Sequence, residues 1–240
     1  MTDRRLTMLI HGDSGHGKSW LADTAPGPRL ILDAEGRADY TPSNKIMWDP
    51  RTAPPEVGPD DSVVVDVQSF DTAQMAYTWL ASGKHPFNSV IVDSITELQQ
   101  RVLDAVTGSP SIQPQTQHWG TLLREMESFV RKLRDLRKHP VKPLWAVVLV
   151  AGSQEKNNKQ RPFLQGQLGI KIAYHMDVVG YLVRQQGDDG QEQRVLHIKP
   201  FGFIEAKDNT HILSQQYGGT IINPDVTDML NVLNPVEVTA

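Results

Sequence analysis

Short, almost wholly apolar runs alternate along this chain with longer segments whose apolar residues recur every three or four positions. The short runs are Leu6-Thr7-Met8-Leu9-Ile10-His11, Arg29 to Leu32, Ser62 to Val67, Ser89 to Val92 and Leu144 to Ala151. They are rich in Val, Ile and Leu at odd and even positions alike, the pattern of parallel strands covered by helices on both faces. Lys18 to Ala22, Asp71 to Ser82, Ile95 to Val106 and His118 to Lys138 carry the helical pattern. In the last of these Trp119, Leu122, Leu123, Met126, Phe129, Val130, Leu133 and Leu136 line up as one apolar stripe. Strands alternating with helices predict an α/β doubly wound, mostly parallel sheet. Val179 to Arg184 and Arg194 to Lys199, joined through Gly187-Asp188-Asp189-Gly190, predict a C-terminal β-hairpin, and Pro224 to Leu233 a short helix.

Three stretches lack a packing pattern. Thr41 to Asp61 holds five prolines and reads as an irregular excursion over the surface. Gly108 to Gln117 reads as a mobile loop. Ser153 to Gly169 reads as a polar, basic connection. Residues 1–210 are expected to form one core, with 211–240 as a C-terminal tail either packed on it or mobile.

Composition narrows the function. The 240 residues carry 24 Lys and Arg against 28 Asp and Glu, a net charge of −4. Any contact with nucleic acid must therefore come from a local patch rather than a uniformly basic coat. There is no cysteine, which excludes disulfides, thiolate zinc sites and cysteine nucleophiles and permits a reducing cytosol. The polar start leads straight into the first strand, so no signal peptide is expected. No apolar run approaches the ~18 to 20 residues that span a bilayer, so no membrane association is expected either. The histidines lack the spacing of a metal site.

Gly12-Asp13-Ser14-Gly15-His16-Gly17-Lys18-Ser19 fits G-x-x-x-x-G-K-[ST] at every fixed position, between a predicted strand and a predicted helix. Its glycines let backbone N–H groups converge on a phosphate chain, Lys18 reaches the β and γ phosphates, and the Ser19 hydroxyl ligates Mg²⁺. Val90-Ile91-Val92-Asp93 supplies a strand ending in a carboxylate for the same metal. The competing role for Asp93 is to cap the helix beginning near Ile95, which Ser94 could also do. Glu35, after Leu30-Ile31-Leu32-Asp33-Ala34, is the candidate to polarise the attacking water; Glu97 is the alternative, in a first helical turn where negative charge is favourable in any case.

The order of these elements, with Leu32-Asp33-Ala34-Glu35 at one strand end and Val90-Ile91-Val92-Asp93-Ser94 at another, resembles the ATPase core of RecA-type recombinases over roughly Leu6 to Asp208. In size, and in Asp93-Ser94-Ile95-Thr96-Glu97-Leu98, His118-Trp119-Gly120 and Ala206-Lys207-Asp208, the chain is most similar to the core-only RecA-like ATPases of bacteriophages, the fourth Sak-type group of single-strand annealing proteins. The resemblance implies ATP and Mg²⁺ as ligands, single-stranded DNA as partner, and a homo-oligomer, ring or filament, with ATP between subunits. It also implies cooperation with a single-strand binding protein and the cytoplasm of a bacterial host as location. Asp39 matches an aspartate near the adenine, with Tyr40 beside it as a stacking ring. Gln154, with Ser153 second, matches the sensor of the γ-phosphate. Gly108 to Gln117 and Ser153 to Gly169 match the two DNA loops, the second bearing Lys156, Lys159, Arg161 and Phe163. Lys199 and Lys207, with Arg161 third, are the candidates to act on a neighbour's ATP. The basic face Arg131, Lys132, Arg134, Arg137 and Lys138 reads as a solvated face or as a DNA track. Unlike a full recombinase, the chain is expected to lack an N-terminal polymerisation element and a separate DNA-binding domain.

The leading expectation is an Mg²⁺-dependent ATPase that binds single-stranded DNA and assists phage recombination. The alternatives are a helicase-loader or motor ATPase on the same core, and a nucleotide-dependent switch without DNA function. A kinase is disfavoured because no arginine-rich acceptor lid is visible.

Overall fold

A computed structural model describes residues 3–187 and 189–235. Asp188 of the expected hairpin turn, Met1, Thr2 and residues 236–240 of the expected tail lie outside the described residues.

The elements in chain order are β1 (Leu6–His11), α1 (Lys18–Ala22), β2 (Arg29–Asp33), β3 (Lys45–Met47), β4 (Ser62–Asp66), α2 (Phe70–Ser82), β5 (Ser89–Asp93), α3 (Ile95–Thr107), α4 (Thr116–Asp135), β6 (Ala146–Ala151), β7 (Ser153–Lys156), β8 (Lys159–Pro162), α5 (Leu168–His175), β9 (Val178–Gln186), β10 (Glu192–His197), β11 (Lys207–Asp208), α6 (Ile212–Tyr217), β12 (Thr220–Ile222) and α7 (Val226–Leu233). The main sheet runs β12-β10-β9-β1-β6-β5-β2-β4-β3, with β11 also paired to β9. From β9 to β3 every pairing is parallel, whereas β10 and β11 run antiparallel to β9. The fold is therefore the expected α/β class, with the hairpin β9–β10 and then β12 on one side.

Alternation along each strand builds two cores, one on each face. Leu6, Met8 and Ile10 of β1, Ile31 of β2 and Ile91 of β5 face α1, α6 and α7. Leu9, Leu30, Leu32, Val90 and Val92 face the side of α2 to α5, where Leu122, Met126, Phe129, Val130 and Leu133 of α4 supply the predicted stripe. Both faces of the parallel strands are dry, which is why those strands read as continuous apolar runs.

The structure departs from the expectations in three segments. Thr41 to Asp61 contributes an edge strand, β3, parallel to β4. An edge strand is bonded on one side only, and the three residues Lys45–Met47 fall between Pro42 and Pro50, so the prolines do not obstruct it. Ser153 to Gly169 is a two-stranded hairpin followed by the start of α5, not an irregular connection. Its two-residue turn, Asn157-Asn158, has φ of 54° and 57°, the left-handed pair that asparagine tolerates and a tight hairpin demands. The third departure is at Gly108 to Gln117, which ends in helix: α4 begins at Thr116, and the Gln115 N–H donates to His118 Nδ1 at 3.1 Å. Toward the C-terminus, β12 joins the sheet beside β10, and α7 buries Val226, Met229, Leu230 and Leu233 against it.

Candidate functional site

Register brings the chemistry together. Leu9↔Leu149 and Val92↔Leu149 place β6 between β1 and β5, and Asp33↔Asp93 places the tips of β2 and β5 side by side. The loop after β1, the carboxylate ending β5 and the segment after β2 therefore open on one end of the sheet. They enclose a cleft of about 320 Å³ lined by Ser14, Gly15, Gly17, Lys18, Ser19, Trp20, Glu35, Arg37, Tyr40, Thr41, Asp93, Val150 and Gly152. Ligand sites of open parallel sheets form at this end.

The loop Gly12–Ser19 keeps its shape because of two glycines. At Gly12 a Cβ would stand 2.3 Å from the Leu182 carbonyl oxygen, a backbone atom that cannot yield. Gly17 has φ 86°, and a Cβ there would meet the Arg194 side chain at 2.4 Å. The loop is braced from β9, where Leu182 O accepts from His16 Nδ1 at 3.2 Å and Arg184 donates to Gly15 O at 3.3 Å. Arg194, directly opposite Arg184 in the β9–β10 ladder, lies over the Trp20 ring at 4.9 Å. Asp13 is exposed at the loop crest, where its carbonyl accepts from Lys18 Nζ at 2.8 Å. Burial pulls the Lys18 ammonium below the usual lysine range, while Glu35, Asp93 and Asp13 act in the opposite sense.

Asp93 is 7% exposed, and the Ser19 hydroxyl beside it acts to hold its carboxyl down. Burial pushes its carboxyl up to about 6, and the nearby Glu35 and Asp33 push in the same direction. A buried carboxylate beside a hydroxyl, with too little positive charge around it, suits a hard divalent cation bound by oxygen. The helix-capping duty belongs to Ser94: its Oγ accepts from the Glu97 N–H at 3.2 Å. The same hydroxyl donates to Glu35 Oε1 at 2.5 Å.

Glu35 stands in the cleft because Asp33 shapes the turn carrying it. The Asp33 carboxylate accepts from the N–H groups of Glu35 (3.2 Å), Gly36 (2.8 Å) and Ala38 (2.9 Å), and Ala34 N–H is tied to Asp93 O at 2.8 Å. Glu97 pairs with Arg101 at 3.3 Å and does not line the cleft. Tyr40 lines the cleft, and its carbonyl accepts from Trp20 Nε1 at 2.9 Å; Asp39 is exposed on the same turn, outside the lining.

The remaining sequence candidates lie elsewhere. Gln154 donates to Pro162 O and Leu164 O, both at 3.3 Å, turning toward the base of β8 rather than the phosphate loop. Ser153 Oγ lies 3.3 Å from His11 Nδ1. Lys156 and Lys159 flank the hairpin turn, both exposed. Arg161 pairs with Glu205 at 2.9 Å, and Phe163 is exposed. Lys199 is exposed with its stem over Gly219, and Lys207 is half-buried on β11, its ammonium lowered by burial. On α4 the basic face is partly spent: Arg134 pairs with Asp135 at 2.7 Å, Arg137 pairs with Asp177, and Lys132 covers Tyr77.

Several residues with a part in this site carried no motif signal. Arg184 and Arg194 reach the loop only because the hairpin folds back beside β1. Thr96 Oγ accepts from Gly152 N–H at 3.0 Å and donates to Phe163 O at 3.2 Å, linking α3, the end of β6 and the end of β8. His11 is buried with Nε2 donating to Glu205 O at 2.8 Å, and burial drives its ring down to about 4, so it is neutral at pH 7.

Among the described residues no helix is long and apolar enough to cross a membrane. No curated protein matches the chain. A family model described as an AAA domain matches residues 4–210, most of the chain and all of the cleft. Fold, phosphate loop and family model agree, and the chain belongs to the AAA-domain family as a P-loop AAA-type ATPase.

Proposed function

We propose that this ATPase hydrolyses ATP with Mg²⁺ and couples turnover to single-stranded DNA, promoting the annealing or strand exchange of phage homologous recombination as the Sak-type ATPases do. The observation that supports DNA coupling most is the route from cleft to hairpin. Gly152, which lines the cleft, accepts from Phe163 N–H at 2.8 Å and donates to Thr96, so the base of the lysine-tipped hairpin β7–β8 is fastened to the nucleotide end of the sheet.

In this reading the backbone of Gly12 to Gly17 and the Lys18 ammonium hold the triphosphate. Ser19 and Asp93 hold Mg²⁺, which supplies charge neutralisation on the phosphates. Glu35, oriented by Ser94, holds and polarises the attacking water. Trp20, Tyr40 and Asp39 take the nucleoside side. Lys156 and Lys159 take DNA phosphates, with Phe163 against a base. Lys199 or Lys207 acts on a neighbouring subunit's ATP in a homo-oligomer, and a single-strand binding protein is the cooperating partner. Gln154 acts as sensor only if a turn of its side chain exchanges the Pro162 and Leu164 carbonyls for the phosphate.

The test is the ATPase rate with and without single-stranded DNA over a range of salt concentrations. Stimulation that fades as salt rises is expected, because binding to phosphates releases counterions. A rate indifferent to DNA at every salt concentration would leave a nucleotide switch as the better reading.

A further inference from the structure

Pro200-Phe201-Gly202-Phe203-Ile204 forms a tight turn closed by Ile204 N–H to Phe201 O at 2.8 Å, with Gly202 at φ 53°. It holds two phenylalanine rings out at 68% and 60% exposure. Phenylalanine ordinarily buries most of its surface, so two such rings held out on one turn are costly unless something covers them. The turn is also rigidly mounted. Gln160 N–H donates to Phe203 O at 2.8 Å, Glu205 N–H donates to Gln160 O at 2.9 Å, and Glu205 pairs with Arg161 at 2.9 Å. Its far side is pinned by His11 through Glu205 O, and the Phe201 ring lies parallel on His197, centroids 5.8 Å apart at 6°.

We propose that the Phe201-Gly202-Phe203 turn is a stacking platform for the unpaired bases of single-stranded DNA. This rests on the DNA reading above and deepens it, since the resemblance assigns DNA to Gly108 to Gln117 and to Ser153 to Gly169, with Phe163 the ring expected to stack. Gln160, to which the turn is bonded, directly follows Lys159, whose cross-strand partner in the hairpin is Lys156. The acid that follows the turn, Glu205, is paired with Arg161. Aromatic faces beside lysines that pair with no acid among the described residues fit a strand that alternates anionic phosphates with flat bases, and every base presents a face that a ring can cover. A purely apolar protein partner would leave Lys156 and Lys159 without counter-charge.

The experiment measures fluorescence anisotropy of a labelled oligo(dT) against the full chain with ATP and Mg²⁺, across salt concentrations, with sedimentation of each sample. Phe201→Leu combined with Phe203→Leu keeps the apolar volume and removes the ring faces; the expected result is roughly tenfold weaker binding per ring with an unchanged salt slope. Phe201→Trp with Phe203→Trp retains wild-type affinity. Lys156→Ala with Lys159→Ala lowers the slope by about 0.7 for each phosphate that is no longer neutralised. Leucine variants that bind like the wild type, or that weaken binding only by changing the assembly size, overturn the platform while leaving the DNA reading standing. A wild-type chain with no salt-sensitive binding overturns both.

Discussion

Asp93→Asn separates the cost of building this site from its use. The Asp93 carboxyl is pushed from 3.8 up to about 6 by burial first and by its acidic neighbours second. Below about pH 4 the group is protonated in both folded and unfolded chains and contributes nothing. Between about 4 and 6 the folded chain retains a proton that the unfolded chain has released, so stability falls as pH rises, and above 6 the whole penalty is in place. At 1.36 kcal/mol per pH unit that window comes to about 3 kcal/mol. Asparagine keeps the shape but carries no charge. In EDTA at pH 8 the variant is therefore expected to be more stable than the wild type by about 1–3 kcal/mol in urea denaturation, and the gap should close near pH 4. With Mg²⁺ and ATP at a hundredfold the wild-type Kd, the wild type gains about 2.7 kcal/mol that a variant with impaired metal binding does not, so the variant's advantage is expected to shrink by about that amount. An asparagine variant that is less stable than the wild type in EDTA at pH 8 would refute this reasoning, since the charge would then be satisfied by the fold itself.

Three further perturbations follow from the same geometry. Asp33→Ala strips three backbone N–H groups of a charged acceptor, each worth about 1.5–3 kcal/mol and not fully additive, so that urea denaturation should show a stability lower by at least about 3 kcal/mol; an unchanged midpoint would contradict it. Gly17→Ala forces a left-handed φ on a side chain that meets Arg194, a strain of about 1–3 kcal/mol, so nucleotide affinity by calorimetry should fall; wild-type affinity would show that the loop relaxes freely. His11, driven from 6.5 to about 4 by burial, contributes stability that is complete above pH 6.5 and lost as pH falls toward 4, about 3 kcal/mol in all. His11→Gln should flatten the stability profile across that window, and an identical profile in the variant would remove histidine from the explanation.

What could be read from the chain was whatever rests on local pattern. Strands buried on both faces are continuous apolar runs, so β1, β2, β4, β5 and β6 stood out, and the phosphate loop announced itself through glycine spacing between a strand and a helix. The tips of β2 and β5 were legible as carboxylates, but their juxtaposition depends on a register that no local window encodes. Strand β3 was hidden by the prolines around it, since composition averages over a segment while pairing needs three free residues. The turn Asn157-Asn158 did carry a hairpin signal, outweighed by the polar flanks of β7 and β8, which lie on the surface and lack apolar alternation. Arg184, Arg194 and Thr96 bear on the site through contacts formed across the fold, and the structural use of Gln154 could not be foreseen from its place after a strand.

The central claim is that one triphosphate lies between the loop after β1 and the carboxylates at the tips of β2 and β5. Glu35→Gln tests it most directly, with nucleotide affinity and hydrolysis measured on the same sample. ATP binding is predicted to stay within about threefold of wild type while turnover drops by a factor of about 10² or more, because glutamine keeps the partner for Ser94 but cannot polarise water. Turnover at the wild-type rate would contradict it.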